Sequence, residues 1–164
     1  MADMFRILTL QDYGKVASIF SQTFPEKYRK EFDTVWMFRH TELSLGIFDT
    51  NVLKGFILCR KIEEGHLRIE FLGVNPNVQK EGIGTMLLKH VLQFATDYRI
   101  SLIPVEDSRI INWYQKFGFC FTGDTQVNPF TGELEVIMIL VRDQKSASMA
   151  NTICARSLPT VALA

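Results

Sequence analysis

No run of apolar residues in this 164-residue chain approaches the roughly 20 that a membrane-crossing helix needs, so no membrane partner is expected. Charge of one sign is not in excess either. Lys and Arg total 18, Asp and Glu total 18, and no net field remains to draw the chain onto nucleic acid. Cysteine is scarce and odd in number. Cys59, Cys120 and Cys154 lie far apart, which excludes a disulfide framework and points to a reducing, cytoplasmic setting, with the nucleus left open. There is no C-x-x-C, and His40, His66 and His90 stand alone, so no metal site is expected. The N-terminus, MADMFRILTL, carries an acid early and lacks a basic segment followed by an apolar one, so no signal peptide is expected. No internal repeat is visible.

What is present is ordinary for one globular domain: 47% apolar residues and 22% charged ones. Met4 to Leu8 reads as a strand. Thr9 with Asp12 forms a capping-box pattern, and Val16, Ile19 and Phe20 then share a helical face. Pro25 suits the first turn of a second helix, with Tyr28, Phe32, Val35 and Trp36 on one stripe. Three strand-like runs follow, LSLGIFD, VLKGFILCRKI and HLRIEFLGVNP, separated by turn signals at Asp49-Thr50-Asn51 and Glu63-Glu64-Gly65. Leu87, Leu88, Val91, Leu92, Ala95 and Tyr98 fall at helical spacing. ISLIPV is a strand candidate, Asp107 or Ser108 caps a helix through RIINWYQKF, and Gly118 stands where a C-cap glycine belongs. FGFCFTG and LEVIMILV are the last strands, joined by NPFTGE. The order βααβββαβαββ predicts an α/β (α+β) fold, a mixed sheet covered by helices. Residues 1–143 read as a single domain. Residues 144–164 lack periodicity and read as a C-terminal tail or an add-on segment.

One stretch asks for an explanation beyond local stability. QKEGIG, Gln79 to Gly84, places two glycines one residue apart between a strand-like and a helix-like run. Glycine loses the most backbone entropy on ordering. At the start of a helix, however, backbone N–H groups lack partners and the dipole is positive, and glycine lets a phosphate come close. A tight strand-to-helix turn would use the same pair, and spacing alone leaves both readings open. A dinucleotide fold would want G-x-G-x-x-G after the first strand, and a triphosphate loop would end in G-K-[ST]; neither is present.

Taken with its surroundings, GVNPNVQKEGIGTMLL resembles the acetyl-CoA signature of the GNAT acetyltransferase superfamily, a [QR]-x-x-G-x-[GA] run preceded by V-x-P on a strand. NWYQKFGF, Asn112 to Phe119, is similar to the family's second motif, and FRILTLQDYGKVASIF to its opening strand and helix. The resemblance is specific over about Leu67 to Phe121 and does not reach the tail after Arg142. It implies a mixed, mostly antiparallel central sheet flanked by helices. It also implies acetyl-CoA as co-substrate without a metal, and an amine acceptor as partner, either a small amine or polyamine or a peptide or protein amine. A homodimer is left open.

Carried over by position, the resemblance implies that Leu72, Gly73 and Val74 offer backbone groups to the pantetheine arm. Gln79, Lys80, Glu81, Gly82, Ile83, Gly84 and Thr85 would wrap the pyrophosphate. Asp107 stands where many members carry a cofactor-contacting Asn, although an Asp there suits a helix cap. Tyr114 stands where the family's general acid stands. A protonated amine must lose a proton before it attacks the thioester, and the leaving thiolate must gain one. Glu70 lies two residues before Leu72, which by alternation puts both on one face, and some relatives use a Glu there as the base. A carboxylate within RIEFLGV is costly unless satisfied or used, and a pairing with Arg68 or another cation is the structural alternative. An acetyl oxyanion would meet a backbone N–H near Leu72 or Val74. Direct transfer needs no nucleophile, so Cys59 and Cys120 read as core thiols. Trp36, Phe38 and His40 lie near the family's acceptor pocket, although core packing suits Trp36. Glu26, Glu31, Asp33, Glu42, Glu63 and Glu64 form either an acidic rim or a solvated face. The alternatives to a small-amine acetyltransferase are a protein lysine acetyltransferase and a catalytically inactive acyl-CoA-binding module.

Overall fold

A computed structural model describes residues 3–142; the expected tail, 144–164, lies outside them, as does Cys154. The chain divides after Tyr98 into two compact units. In the first, β1 (Met4–Ile7), β2 (Leu45–Asp49), β3 (Val52–Glu63) and β4 (His66–Val74) pair in that order, each antiparallel to the next. Helices α1 (Tyr13–Thr23), α2 (Arg29–Phe38) and α3 (Ile83–Phe94) complete it. In the second, β5 (Arg99–Leu102) and β6 (Phe119–Val127) both pair antiparallel with β7 (Leu134–Leu140), accompanied by α4 (Ser108–Lys116). This is a mixed α/β architecture of mostly antiparallel strands flanked by helices, and the order βααβββαβαββ is the one expected. No helix among the described residues is long and apolar enough to cross a membrane.

The local reasons are those of the sequence, with shifts at the ends. The Thr9 N–H donates to Asp12 Oδ2 at 2.7 Å, so the capping box forms, on a single 3-10 turn that leads into α1. Pro25 likewise starts a 3-10 turn before α2 rather than α2 itself. The turn before β3 holds Thr50 at φ 56°, and the one before β4 holds Gly65 at φ 74°. Helix α3 ends at Phe94, so Ala95 and Tyr98 lie beyond it; Ala95, at φ −103° and ψ 40°, breaks the helical run.

In the first unit α1 and α2 cover one face of the strands. Phe20 stacks on Phe32 at 4.3 Å, and Phe71 of β4 meets both, as well as Phe24, edge-on. Each fully buried phenylalanine contributes about 1.5–3 kcal/mol by leaving water. Helix α3 lies against the other face. A Cβ at Gly55 would come within 2.7 Å of Ile83, and one at Gly73 would sit 2.6 Å from the Phe56 ring. These two glycines let the helical layers close on β3 and β4.

Candidate functional site

The Asn75–Gly82 segment connects β4 to α3 and is built as a braced turn. The Asn75 N–H donates to the Lys54 carbonyl at 2.8 Å, the Asn75 amide donates to the Leu53 carbonyl at 3.3 Å, and Asn75 Oδ1 accepts from the Asn77 N–H at 3.0 Å. Asn75-Pro76 is strong helix-start chemistry, and Pro76–Glu81 accordingly forms 3-10 turns kinked at Val78, where the sequence predicts a plain loop. At the far end Glu81 accepts from Lys54 Nζ at 2.9 Å, and Lys54 also meets Asp3 at 3.0 Å. These carboxylates, Glu81 first, hold the Lys54 ammonium well above the usual lysine range. Lys54 reaches both because β3 is bulged there: Gly55 opposes Ile47 and Leu53 opposes Phe48, which leaves Lys54 as the extra residue.

Gly82 ends this turn in the left-handed region, at φ 75° and ψ 21°, and caps α3. Helix α3 therefore starts one residue before Gly84, which takes the second helical position. The first intrahelical bond across this turn is from the Met86 N–H to the Gly82 carbonyl, at 3.1 Å. The N–H groups of Ile83, Gly84 and Thr85 precede it and have no carbonyl one turn back. Gly82 brings no side chain to cap them, the first turn carries no acid, and a Cβ at Gly82 would meet nothing within 4 Å. Open space beside uncapped N–H groups at a helix N-terminus suits the diphosphate of acetyl-CoA. Gln79, Lys80 and Glu81 are exposed on the same turn, and Ile83 is buried beneath it.

Glu70 sits on a second bulge. Leu58 opposes Phe71, but Cys59 opposes Ile69, so Glu70 is the extra residue on β4. The alternation linking Glu70 to Leu72 in the sequence is therefore interrupted at Glu70 itself. Its side chain is only 7% exposed, and a cation stands beside it: Arg60 Nη2 lies 3.7 Å from Glu70 Oε1. Cys59 is fully buried, and burial, with the Glu70 charge second, pushes its thiol far above the ordinary range. Leu72 and Val74 are half-buried and Gly73 is buried. Gly73 opposes Phe56, whose ring takes the space of a side chain.

In the second unit Tyr114 lies on α4, is 8% exposed, and packs edge-on against Trp113 and Phe119. Asp107 is the N-cap of α4: its Oδ1 accepts from the Arg109 N–H at 2.9 Å, and the Arg109 guanidinium holds its carboxyl below the usual range. This is the cap chemistry the sequence suggested.

The remaining candidates divide. Trp36 is buried and packs against Tyr13, with the Arg39 guanidinium 4.2 Å above its ring, whereas Phe38 is 69% exposed. His40 lines an open depression with Glu42, Lys61 and Tyr98. Its Nδ1 accepts from the Leu43 N–H, which leaves Nε2 to face the Tyr98 hydroxyl at 3.3 Å. Three acids of the supposed rim are engaged locally: Asp33 with Tyr13 and Arg29, Glu63 with His66, and Glu64 with Lys61. Lys54, Asn75 and Arg60 were not singled out from sequence. Two of them act through bulges and backbone bonds that leave no pattern in the chain.

A profile of the Acetyltransferase (GNAT) family matches residues 13–119. Solved structures share the fold. Arabidopsis thaliana Naa50, in complex with the bisubstrate analogue CoA-Ac-MVNAL, superposes at TM-score 0.66 with 24% identity, over 87% of this chain and 100% of that one. The ribosomal-protein-S18-alanine N-acetyltransferase from Escherichia coli gives 0.67 with 17% identity, over 87% and 97%. The PaiA N-acetyltransferase from Thermoplasma acidophilum, in complex with coenzyme A, gives 0.61 with 17% identity, over 87% and 100%. A comparison with curated proteins found no match. With the family profile spanning most of the chain, and a glycine-capped helix following β4 at the signature, this protein belongs to the GNAT acetyltransferase family.

Proposed function

We propose that residues 1–143 form one catalytic domain that moves the acetyl group of acetyl-CoA directly to a primary amine. The observation that carries this reading is the left-handed Gly82 cap, beside which a Cβ would meet nothing within 4 Å and after which the N–H groups of Ile83, Gly84 and Thr85 have no carbonyl one turn back. Those groups, with the backbone from Gln79 onward, take the diphosphate, and the backbone of Leu72, Gly73 and Val74 takes the pantetheine arm. Acetyl-CoA supplies an activated acyl carbon. Glu70 accepts a proton from the acceptor ammonium, directly or through water. The free amine then attacks the thioester, the C–N bond forms as the C–S bond breaks, and Tyr114 protonates the departing thiolate. One proton in total passes to solvent. Asp107 takes no part beyond capping α4. Neighbours at 17–24% identity share the fold, and their acceptors do not decide this one.

The test is thiol release from acetyl-CoA against a mixed amine panel, beside calorimetry of cofactor binding. Turnover is expected, and Tyr114→Phe should lower kcat by about 100-fold while leaving acetyl-CoA affinity near wild type. Binding without turnover of any amine would make the chain an acyl-CoA-binding module instead. Glu70→Gln should lose most activity at low pH, where free amine is scarce; a constant ratio to wild type across pH would remove the base role.

A further inference from the structure

Arg60 stands toward the end of β3 with little to hold it. Its side chain is 38% exposed, and among the described residues its guanidinium makes no hydrogen bond. Its Nε is buried without a partner, and its contact with Glu70 is a loose 3.7 Å. Directly across the strand pair stands Arg68, itself 9% exposed, so a like charge faces Arg60 rather than a counter-ion. Five N–H donors in a planar fork are shaped for a carboxylate, and here they are almost unused.

The position of this arginine gives its unused donors meaning. Leu58 and Phe71 lie opposite each other, both in the core that α1 and α2 cover. Two residues on from Leu58, Arg60 continues the same face where aromatic packing gives way to Arg60, Arg68 and Glu70. Phe24, whose extended backbone ends α1, meets Phe71 edge-on at 5.3 Å, so the α1–α2 link borders this polar patch. A base and a cation thus stand 3.7 Å apart beside each other. The complement of such a pair is a molecule that carries an ammonium and a carboxylate a few bonds apart.

We propose that Arg60 receives the carboxylate of the acceptor while Glu70 receives its ammonium, and that the acceptor is therefore a free amino acid. This rests on the acetyl-transfer reading and narrows it. The bonds are those of that reaction: the amino nitrogen takes the acetyl carbon, the thiolate leaves, and the carboxylate stays ionised on Arg60 throughout.

The experiment assays the standard amino acids with acetyl-CoA, each beside its carboxamide, together with spermidine and a neutral-capped peptide bearing a free N-terminus. At least one amino acid should exceed its own carboxamide by about tenfold in kcat/KM, as expected when a part-exposed charge pair loses one partner. Arg60→Gln should collapse that gap mainly through KM, and Arg60→Lys should restore part of it. Acetyl-CoA binding by calorimetry serves as the control that the variants fold. Equal use of acid and carboxamide, preference for spermidine or the peptide, or an equal loss on both acceptors in Arg60→Gln would overturn the assignment and leave acetyl transfer standing. Acetyl-CoA binding with no acceptor used would sink both.

Discussion

Gly82 carries a backbone requirement that exists before any ligand arrives. At φ 75° an L side chain costs about 1–2 kcal/mol, and because nothing lies within 4 Å of its Cβ position the cost is torsional, not steric. Gly82→Ala should therefore lower stability by about 1 kcal/mol. It should weaken acetyl-CoA binding beyond that, since the new methyl enters the open space beside the α3 N-terminus. Calorimetry and thermal melting of the same variant separate the two effects; a lowered Tm with unchanged affinity would reduce Gly82 to a turn residue. The sequence showed a pair of glycines but not that they differ. Only Gly82 turns left-handed, whereas Gly84 lies within the helix, a distinction set by where the first N–H to C=O bond closes.

At the scale of elements, the site depends on two irregularities in β3 and β4. The bulge at Lys54 aims its ammonium at Glu81 and so ties the start of β3 to the end of the Asn75–Gly82 turn. Lys54→Met should keep the fold, because the Asn75 bonds to the Leu53 and Lys54 backbone remain. It should loosen the turn and weaken acetyl-CoA binding by about tenfold, the cost of lost preorganisation. Unchanged affinity would mean that the Asn75 brace alone suffices. The bulge at Glu70 places a carboxylate beside Arg60. Neither bulge was legible in the chain. A bulge is a mismatch between two strands, and each strand alone reads as an ordinary alternating or apolar run. The capping box at Thr9 and Asp12, the helix start at Asp107 and the glycine just past the α4 C-cap, Gly118 at φ 101°, were legible, because each is decided by residues within four positions of one another.

For the whole molecule, net charge is zero, and acid stability turns on particular carboxylates. Asp12 accepts from both Arg6 Nη groups, at 2.8 and 2.9 Å, and from the Thr9 N–H, and the Arg6 bonds lead in holding its carboxyl down to about 2. A depressed carboxyl stabilises the fold fully above its unfolded value and loses that contribution as pH falls through its folded value. From 3.8 down to about 2, this amounts to about 2 kcal/mol at neutral pH, lost between about pH 4 and pH 2. Asp12→Asn should lose that amount at pH 7 in denaturant unfolding and show a flatter stability curve over that acid range. An unchanged curve would mean that Arg6 finds an equal partner elsewhere.

The amino-acid sequence by itself determined the order of elements, the helix caps and the glycine turn, because these follow from hydrophobic period and from side chains bonding to their own neighbouring backbone. Tertiary structure alone decided which cation stands beside Glu70, how Lys54 braces the turn, and that Arg60 is left with its donors unused. Those facts arise from the register between strands, where one residue of slip redirects a charge, and no single stretch of chain encodes it.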